Sequence, residues 1–556
     1  MTPCTANTSG EDYADFIYRH NGLSMQELYE ELENPCLDFV NSNYVIIHAP
    51  LDQVLPLSLE RYPYSSIPKL YALLDTTSME ASGILAVSRQ PKFQADGNGA
   101  LIGLIDTGID YQNPVFRKPD GSSRILGILD QTLGESFTQA QLDEALQSPD
   151  PLSIVPSTDT IGHGTFLAGI AAGGSSDAKD FIGAAPLAGI AMVKLKPAKQ
   201  YLRDFFLIRP DAIAYQENDI MLGITYLVFL AAKYRMPLSI LISLGHNQGS
   251  HNGLSPLSQV LNRLGFFRGV SVSCAAGNEV GFRKHYFQPM AREVKFAETE
   301  LRVGSAERGF TLELWARIPE RYLVGFVSPT GEVIPKIPFI QGHETRVIFS
   351  GESTVITVSY QFSPGENDSQ LIFMRFEDPT PGIWRIRIYN TLFLNGKYHM
   401  WLPNHEFTSE DTFFLESNPD TTITDPGNAV FPITVSTYNH LASSLYIHSS
   451  RGYTANRQIK PDLAAPGVAV YGPGIGASNP MIRMTGSSVA AAHVAGVAAN
   501  MLAYSILTGN AASLNNQSIK SNLIQGAKRN PNFTYPNREW GYGTLDSYQS
   551  FLAMMP

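Results

Sequence analysis

The alternation of apolar and polar residues divides the chain into stretches of three kinds. From about residue 100 to 283, short and almost wholly apolar runs such as ALIGLIDTG, IAMVKLK and LSILISLG alternate with helical patterns such as NDIMLGITYLVFLAAKYR. This alternation is typical of βαβ units that build a parallel sheet. After residue 426 it resumes with VFPITVSTY and closes with the helix candidate SSVAAAHVAGVAANMLAYSIL. We therefore predict an α/β fold with helices on both faces of a parallel sheet.

The stretch from 284 to 426 has a different pattern. Strand-like runs such as FTLELWAR, TVITVSYQF and GIWRIRIYN are separated by turns rich in Gly, Pro, Asn and Asp. Several short strands with regular turn signals predict an all-β sandwich or jelly roll. Because the α/β pattern continues beyond it, we interpret 284–426 as an inserted jelly-roll β domain.

The N-terminal stretch, residues 1–75, contains two strand-like runs, DFIYRH and NYVIIHAP, around an acidic helix candidate, SMQELYEELEN. It predicts a small α+β domain. The α/β domain would then comprise 76–283 and 427–556. A chain of 556 residues has room for several such cores.

Composition excludes several classes of partner. The formal net charge of −11 and the lack of a basic run argue against nucleic-acid binding. We see no uncharged apolar run long enough to cross a bilayer, and we expect no membrane anchor. The polar, acidic start MTPCTANTSGEDYADFIY lacks the features of a secretory signal, so we expect cytoplasmic synthesis. Three cysteines cannot make a disulfide framework, and Cys274 is expected to be a buried free thiol.

Four residues occupy positions that suit acyl transfer by a serine. Such chemistry needs a nucleophile, a base, a carboxylate that orients the base and a donor for the oxyanion. Asp106 ends the run ALIGLID, His163 lies between glycines before a small-residue helix, Asn278 ends VSVSCAAGN, and Ser488 starts the alanine-rich helix. Each alone has a plainer structural interpretation, namely a turn or cap for Asp106, Asn278 and Ser488 and a packed histidine for His163.

Together the four contexts resemble the signatures of the subtilisin family, in the order Asp, His, Asn, Ser. IGLIDTGID is similar to the aspartate motif, GHGTFLAGI to the histidine motif, SCAAGNE to the oxyanion-asparagine motif and TGSSVAAAHVAG to the serine motif. The resemblance covers about residues 75–284 and 426 to the end. It implies a subtilisin-like fold and a serine endopeptidase with Asp106, His163 and Ser488 as triad and Asn278 as oxyanion donor.

The resemblance also implies a substrate-binding strand. ISLG, with Ser243, Leu244 and Gly245, is similar to the strand that pairs with an extended substrate, and Gly277 borders the same site. The family pattern is not matched throughout. Phe166 stands where a second, non-catalytic histidine is common, and Thr, Met and Pro are usual at the positions of Ser487, Val489 and Ala492.

Within the family, the chain resembles the clostridial Csp germination proteases in its short N-terminal domain, in the phrase IPKLYALLD and in the jelly-roll insert. This implies that 1–75 is a prodomain that acts as an intramolecular chaperone and can stay bound after self-cleavage. By analogy we expect cleavage between Leu74 and Thr77. The resemblance further implies that the protein acts on a precursor protein in spore germination. The lack of a secretory signal suits either a cytosolic enzyme or one packaged into a spore, and we expect a monomer.

No cofactor or essential metal is expected. The loop after the histidine helix, GGSSDAKDFIGAAP, offers only Asp177 and Asp180 as carboxylates, whereas calcium takes six to eight oxygen ligands. The histidines lack paired zinc spacing, and there is no phosphate-binding glycine loop.

Two alternatives from other functional classes stay open. One is a pseudoprotease, or a module that uses its groove to bind a peptide or its own prodomain. The other is a binding role for the jelly roll, toward carbohydrate or a partner protein, which exposed Trp315, Trp384 or Trp401 would favour.

Overall fold

The computed structural model describes residues 8–20, 36–73, 81–88, 93, 95–174, 181–340, 343–362, 368–476, 478–507, 509 and 514–555. The helix predicted at SMQELYEELEN lies outside these residues. Its helices are α1 (Leu51–Val54), α2 (Ile84–Ser88), α3 (Gln139–Gln147), α4 (His163–Ala172), α5 (Gln200–Phe206), α6 (Glu217–Tyr234), α7 (Pro256–Leu264), α8 (Ser487–Leu507), α9 (Asn516–Gly526) and α10 (Ser547–Leu552).

Its strands are β1 (Tyr13–Arg19), β2 (Cys36–Asn41), β3 (Tyr44–Pro50), β4 (Leu70–Leu73), β5 (Leu101–Asp106), β6 (Ile125–Asp130), β7 (Glu135–Thr138), β8 (Gly189–Lys194), β9 (Tyr215–Gln216), β10 (Leu238–Ile242), β11 (Leu244–Gly245), β12 (Val270–Ala275), β13 (His285–Tyr286), β14 (Ala297–Val303), β15 (Gly309–Arg317), β16 (Arg321–Val327), β17 (Val333–Ile334), β18 (Glu344–Ile348), β19 (Val355–Phe362), β20 (Ser369–Glu377), β21 (Gly382–Leu392), β22 (His399–Trp401), β23 (Phe413–Phe414), β24 (Ile433–Asn439), β25 (Ser444–Leu445), β26 (Leu463–Pro466), β27 (Val470–Pro473) and β28 (Met481–Met484).

A nine-stranded sheet forms the central layer, in the order β25-β24-β12-β10-β5-β8-β6-β7, with β26 beside β24. The strands from β24 to β6 in this order are parallel to one another. The α/β fold with a parallel sheet is therefore confirmed. The strand β12, from the part of the chain before the insert, pairs directly with β24, from the part after it.

Strand β5 shows why its sequence is an unbroken apolar run. Ile102 and Leu104 pack in the core that contains α4 and α8, whereas Leu101 and Ile105 pack in the core that contains α6 and α7. Side chains alternate between the two faces of a strand, so a strand covered on both faces needs apolar residues at every position. Both faces of the sheet are covered by helices, as the sequence predicts.

The N-terminal strands form a small antiparallel sheet in the order β1-β3-β2. Ile17, Val40, Tyr44 and Ile46 from this sheet share a core with α6 and α7. The N-terminal region is thus packed on one helical face of the central layer. Strand β4, which follows β3 in the chain, does not belong to this small sheet. It pairs with β11 and β9.

Strands β13 to β23 form two antiparallel sheets, of six strands (β13-β22-β15-β20-β19-β18) and five strands (β17-β16-β21-β14-β23). They enclose one core, to which β15 contributes Leu312 and Leu314. Trp315, Trp384 and Trp401 are at most 4% exposed. The exposed tryptophans that would favour a carbohydrate-binding insert are therefore not found at these three positions.

Two further expectations concern the described part of the chain. None of its helices combines the length and apolar character that a bilayer span requires. Cys274 is a buried free cysteine, as expected, and burial raises the pKa of its thiol to about 12. It is therefore not a reactive thiolate.

Candidate active site

The buried strand β5 ends in a carboxylate, Asp106, at the carboxyl edge of the parallel sheet. Asp106 is 1% exposed, and the backbone N–H of Thr107 donates to its Oδ1 atom at 2.8 Å. Strand β5 lies between β10 and β8 in the middle of the sheet. Because neighbouring parallel strands end at one edge, side chains that follow them come together beside Asp106.

His163 is the first residue of α4, and its ring contacts Asp106. The ring nitrogen Nδ1 is 2.7 Å from Asp106 Oδ1 and 2.9 Å from Oδ2. The chain reaches this position through Gly162, whose φ of 90° favours glycine. Gly164 packs so closely that a Cβ would clash with the carbonyl of Gly108. The glycines beside His163 therefore allow α4 to begin directly against the end of β5.

A second carboxylate, Asp159, holds the turn before α4. Its Oδ1 accepts hydrogen bonds from the N–H of Gly162 at 2.8 Å and from the hydroxyl of Thr107 at 2.9 Å, while its Oδ2 accepts from the hydroxyl of Thr165 at 2.7 Å. The Oγ1 of Thr107 in turn accepts from the N–H of Gly164 at 2.9 Å. Sequence reasoning missed Asp159, although an aspartate just ahead of a helix is a recognisable N-terminal signal.

The neighbours of Asp106 keep it ionised. Burial would raise the pKa of this carboxyl, but the charge of His163 and hydrogen bonds from His163, Ser243 and Thr107 lower it below its ordinary value. A carboxylate at Nδ1 favours the tautomer that carries its proton there. The Nε2 atom of His163 is then the proton acceptor.

Ser488 is the second residue of α8 and is fully buried. Its hydroxyl donates to the carbonyl of Ser243 at 3.1 Å. Ser243 follows β10, and its own hydroxyl donates to Asp106 Oδ2. Ser243 therefore connects Ser488 with the pair formed by Asp106 and His163.

Asn278 and Ser487 join the end of β12 to the start of α8. The Oδ1 atom of Asn278 accepts from the N–H of Ser487 at 3.0 Å, and the Oγ of Ser487 accepts from the N–H of Gly277 at 3.0 Å. Because the oxygen end of the Asn278 amide is held by the helix, its nitrogen end is directed away from that contact. Ser487 itself is engaged in fixing the two elements together.

The predicted substrate-binding strand borders a strand from the N-terminal region. Strand β11 pairs antiparallel with β4, with Leu244 opposite Leu73 and Gly245 opposite Ala72. On its other edge, β4 pairs with β9. Strand β4 is thus the middle strand of a small sheet that ends beside Ser243. Extended peptides bind to a sheet edge in the same way.

Comparison with known families agrees with this geometry. A model of the subtilase family matches residues 97–308 and 404–543, which together make up more than half of the chain. The chain belongs to the subtilase family. The unmatched residues of this subtilase between the two segments, 309–403, fall within the stretch predicted to be inserted.

A solved structure, that of the Clostridium perfringens CspB protease, is similar to this subtilase. The TM-score is 0.77 and the sequences are 30% identical, and the match covers 85% of this chain and 96% of that one. The resemblance to subtilases and to the Csp group is confirmed. This subtilase is a subtilisin-like serine endopeptidase.

Of the four departures from the subtilase pattern, Ser487 lies in the candidate site and the other three lie in the core. Phe166 is fully buried, and its ring lies where a Cβ on Gly472 would be 2.7 Å away. Val489 and Ala492 are fully buried in the same core. These substitutions therefore concern the packing of α4 and α8.

Glu279, next to Asn278, is bound by residues from two other parts of the subtilase. Its Oε1 is 2.9 Å from Nδ1 of His405, and Asn247 Nδ2 donates to its Oε2 at 2.7 Å. Burial would raise the pKa of Glu279, but the charge and hydrogen bond of His405, with the bond from Asn247, lower it. The side chain of Asn404 accepts from the N–H of Asn247 at 2.8 Å.

Sequence reasoning missed Asn404 and His405. They lie more than a hundred residues from Asn278 along the chain, and no motif marks them. The Nδ2 of Asn404 also donates to the carbonyl of Gly245 at 3.0 Å. Asn404 and His405 therefore hold strand β11, the predicted substrate-binding strand, as well as Glu279.

A metal site is not apparent in the part of the subtilase that the structure describes, where no group of three or more His, Cys, Asp or Glu side chains could hold an ion. Asp177 and Asp180, the weak calcium candidates, lie in 175–180, outside the described residues. The expectation of no essential metal stays a prediction.

Proposed function

We propose that this subtilase hydrolyses peptide bonds with Asp106, His163 and Ser488. The observation that carries the proposal is the chain of contacts from His163 through Asp106 and Ser243 to Ser488. In attack, the Ser488 hydroxyl turns from the Ser243 carbonyl, gives its proton to His163 Nε2 and bonds to the scissile carbon. Asp106 stabilises the imidazolium, which then protonates the leaving amine, and water hydrolyses the acyl-enzyme.

The oxyanion of the tetrahedral intermediate would be bound between β12 and α8. The Nδ2 group of Asn278 and the backbone N–H of Ser488 are the donors in this proposal. The hydrogen bond from Ser487 N–H to Asn278 Oδ1 supports it, because it fixes the orientation of the amide. The positive end of the α8 dipole adds to the stabilisation.

A fluorophosphonate probe tests the nucleophile. We expect it to label the wild type, not Ser488→Ala, and still to label Ser487→Ala. The adjacent serine is the matched control, since its loss removes only an acceptor for Gly277 N–H. A correctly folded wild type that takes up no probe would contradict the proposed function.

We also propose that residues 1–75 are a prodomain and that the enzyme cuts itself after Leu74. Support comes from the register of β4, in which Ala72 is opposite Gly245 and Leu73 opposite Leu244. Ser243, the residue just before β11, is the next position in this antiparallel register. Its carbonyl accepts the hydrogen bond from the Ser488 hydroxyl. The expected cleavage window, Leu74 to Thr77, itself lies outside the described residues.

The second candidate is a binding module that holds its own N-terminal segment without cutting it. The pairing of β4 with both β11 and β9 favours this alternative, because it fills the groove. Probe labelling distinguishes the two. A folded protein with β4 bound and Ser488 unreactive would be a pseudoprotease.

The biological role we propose is activation of a precursor protein in spore germination, with the enzyme made in the cytoplasm and packaged into the spore. Similarity to the CspB protease and the earlier resemblance to the Csp group support it. We expect the protein to copurify with spores and to cleave the precursor of a cortex hydrolase. Its absence from spores would contradict this role.

A further inference from the structure

Three aromatic side chains of the insert lie close together around the end of β19. Residues two apart in a strand point to the same face, so Tyr360 and Phe362 project together. Phe339, from the segment between β17 and β18, meets their rings edge to face, with centroid distances of 6.0 Å to Tyr360 and 5.0 Å to Phe362. Phe339 is nevertheless 37% exposed. The three rings therefore form an apolar wall that the protein leaves partly uncovered.

The six-stranded sheet of the insert has a gap beside this wall. Strand β18 begins at Glu344, opposite Ser359 of β19, so in the described part of the chain no strand pairs with 360–362 on that edge. Leu59 of the N-terminal region reaches this gap. Its N–H donates to Glu344 Oε1 at 2.9 Å, and its carbonyl accepts from Gln361 Nε2 at 2.9 Å. The insert thus binds both polar groups of this backbone position.

A cavity of about 570 Å³ remains between the N-terminal region and the aromatic wall. Leu59 and Glu60 line it together with the three rings, and none of the candidate catalytic residues borders it. Small-molecule sites commonly have volumes of about 300–1,000 Å³ and combine apolar walls with a few polar groups. The cavity is therefore a candidate ligand site, separate from the site of Ser488.

Arg321, the first residue of β16, brings a positive charge to this cavity. Its guanidinium carbon lies 5.3 Å from the centroid of the Phe362 ring, a contact that orients the group. The other two charged side chains of the lining are paired with each other, since Glu60 Oε1 is 2.9 Å from His343 Nδ1. Arg321 itself forms no ion pair with any residue that the structure describes. A molecule in the cavity would therefore meet one cation without an acidic partner.

We propose that the cavity binds a small organic acid, whose carboxylate pairs with Arg321 and whose apolar part packs against Phe339 and Phe362. The planar guanidinium can donate two parallel hydrogen bonds to the two oxygens of a carboxylate. A neutral apolar molecule would leave this group unpaired, and a cation would be repelled by it. Because Leu59 and Glu60 also line the cavity, the bound acid contacts both the N-terminal region and the insert. This site goes beyond the proposed function, and neither depends on the other.

The test of binding uses the full chain with Ser488→Ala, in which the N-terminal region stays attached whether or not the wild type cuts itself. The probe is 3-phenylpropionate, titrated by ligand-detected NMR, and saturable binding is expected. Its amide lacks the charge and acetate lacks the ring, so each should bind about 5-fold more weakly or worse. No saturable binding of the acid, or equal affinity for the acid and its amide, would overturn the inference.

Variants of Arg321 identify the partner of the carboxylate. Arg321→Gln should weaken binding of 3-phenylpropionate about 5-fold, whereas Arg321→Lys keeps the charge and should lose less. Phe339→Ala should also weaken it about 5-fold, because an aromatic contact is lost. Arg346→Gln is the matched control, since Arg346 is an exposed arginine of β18 that does not line the cavity. Equal affinity in Arg321→Gln and Arg346→Gln would contradict the proposed site. If Arg321→Gln fails to fold, the comparison of the acid with its amide decides.

Hydrogen exchange locates the bound probe. The Leu59 N–H is held by Glu344 at the edge of the cavity, so saturating 3-phenylpropionate should slow its exchange. The same concentration should have less effect when Arg321→Gln is added. Binding that leaves the exchange of residues 57–62 unchanged would show that the acid lies elsewhere, and the inference would then be wrong.

Discussion

The central parallel sheet and the two antiparallel sheets of the insert use buried strands for different purposes. In the parallel sheet, strands such as β5 are covered on both faces, and the polar residues at the ends of β5 and β10, Asp106 and Ser243, meet at one edge. In the insert, the strands enclose an aromatic core around Trp384. The comparison indicates that the first region places the candidate catalytic residues, whereas the strands of the second mainly build a packed core.

The insert is not isolated from the chemistry, however. Its contacts with the site come from residues at its C-terminal end, where Asn404 and His405 bind Gly245 and Glu279. At its other side, Glu313 accepts a hydrogen bond from the hydroxyl of Tyr64 at 2.7 Å. The two regions are therefore not fully separate in function. Substitutions in each region measure how much it contributes to activity and how much to stability.

The largest effect on activity is expected from Asp106→Asn. The amide keeps the shape of the side chain but favours the wrong tautomer of His163, so kcat should fall about 10⁴-fold. Active-site labelling and peptide hydrolysis measure the loss. A residual rate within tenfold of the wild type would show that Asp106 does not orient His163.

Trp384→Ala in the insert should lower the stability of the protein and leave its activity unchanged. Trp384 is fully buried against Phe349 and Phe376, so its truncation should lower the free energy of unfolding by about 3–5 kcal/mol. Urea unfolding measures this, and the rate per labelled Ser488 should not change. Ile383→Ala, at an exposed position of the same strand, is the control. Equal destabilisation by both would contradict the account.

Substitutions of Asn278 separate the role of its amide N–H donor from that of its Oδ1 atom, which accepts the hydrogen bond from Ser487 N–H. Asn278→Ala should lower kcat about 10²–10³-fold with little change in KM, because the donor acts only on the transition state. Asn278→Asp keeps the oxygen that accepts from Ser487 N–H but has no donor, and should lose a similar factor. If Asn278→Asp retained wild-type activity, the oxyanion role would be wrong.

The smallest expected effect is on the free energy of unfolding, and it comes from the contact of the N-terminal sheet with the central layer. His48 lies between Asp15 and Asp38, and Asp15 also contacts Lys199 at the start of α5. Burial would lower the pKa of His48, but hydrogen bonds and charge from the two aspartates raise it from 6.5 to about 9. A raised pKa stabilises the folded state most below about pH 6.5, and this contribution is lost as the pH rises through about 9.

Unfolding measured by urea at several pH values checks this interaction. The wild type should lose up to about 3 kcal/mol between pH 6.5 and 9.5, the value that corresponds to a shift of this size. His48→Gln should start lower and show a smaller loss over the same range. A wild type with no loss over this range would contradict the ion pair.

The sequence predicted the parts of the site that depend on local pattern. His163 lies between two glycines at the start of a helix, and Asp106 at a strand end and Ser488 at a helix start each lie two residues from a glycine. These local signals do not depend on distant contacts. The order and direction of the strands then brought them together, as the parallel pattern implied. The confirmed subtilase family accounts for why the joint motif was informative.

Other features could not be predicted because they depend on contacts between distant segments. Thr424 acquires its position only when the end of the insert reaches between Gly245 and Gly277. The ion pair of His405 with Glu279 joins residues that are 126 positions apart. Periodicity assigned strands to the insert but gave no information on which of its residues contact the site.

The most direct test of the account is the intact mass of the purified wild type beside Ser488→Ala. We predict that the wild type is split after Leu74 into two fragments and that Ser488→Ala stays whole. Such a result would tie cleavage at the end of β4 to the candidate nucleophile. If both proteins stayed whole, or if both were cut at the same bond, self-cleavage by Ser488 would be contradicted.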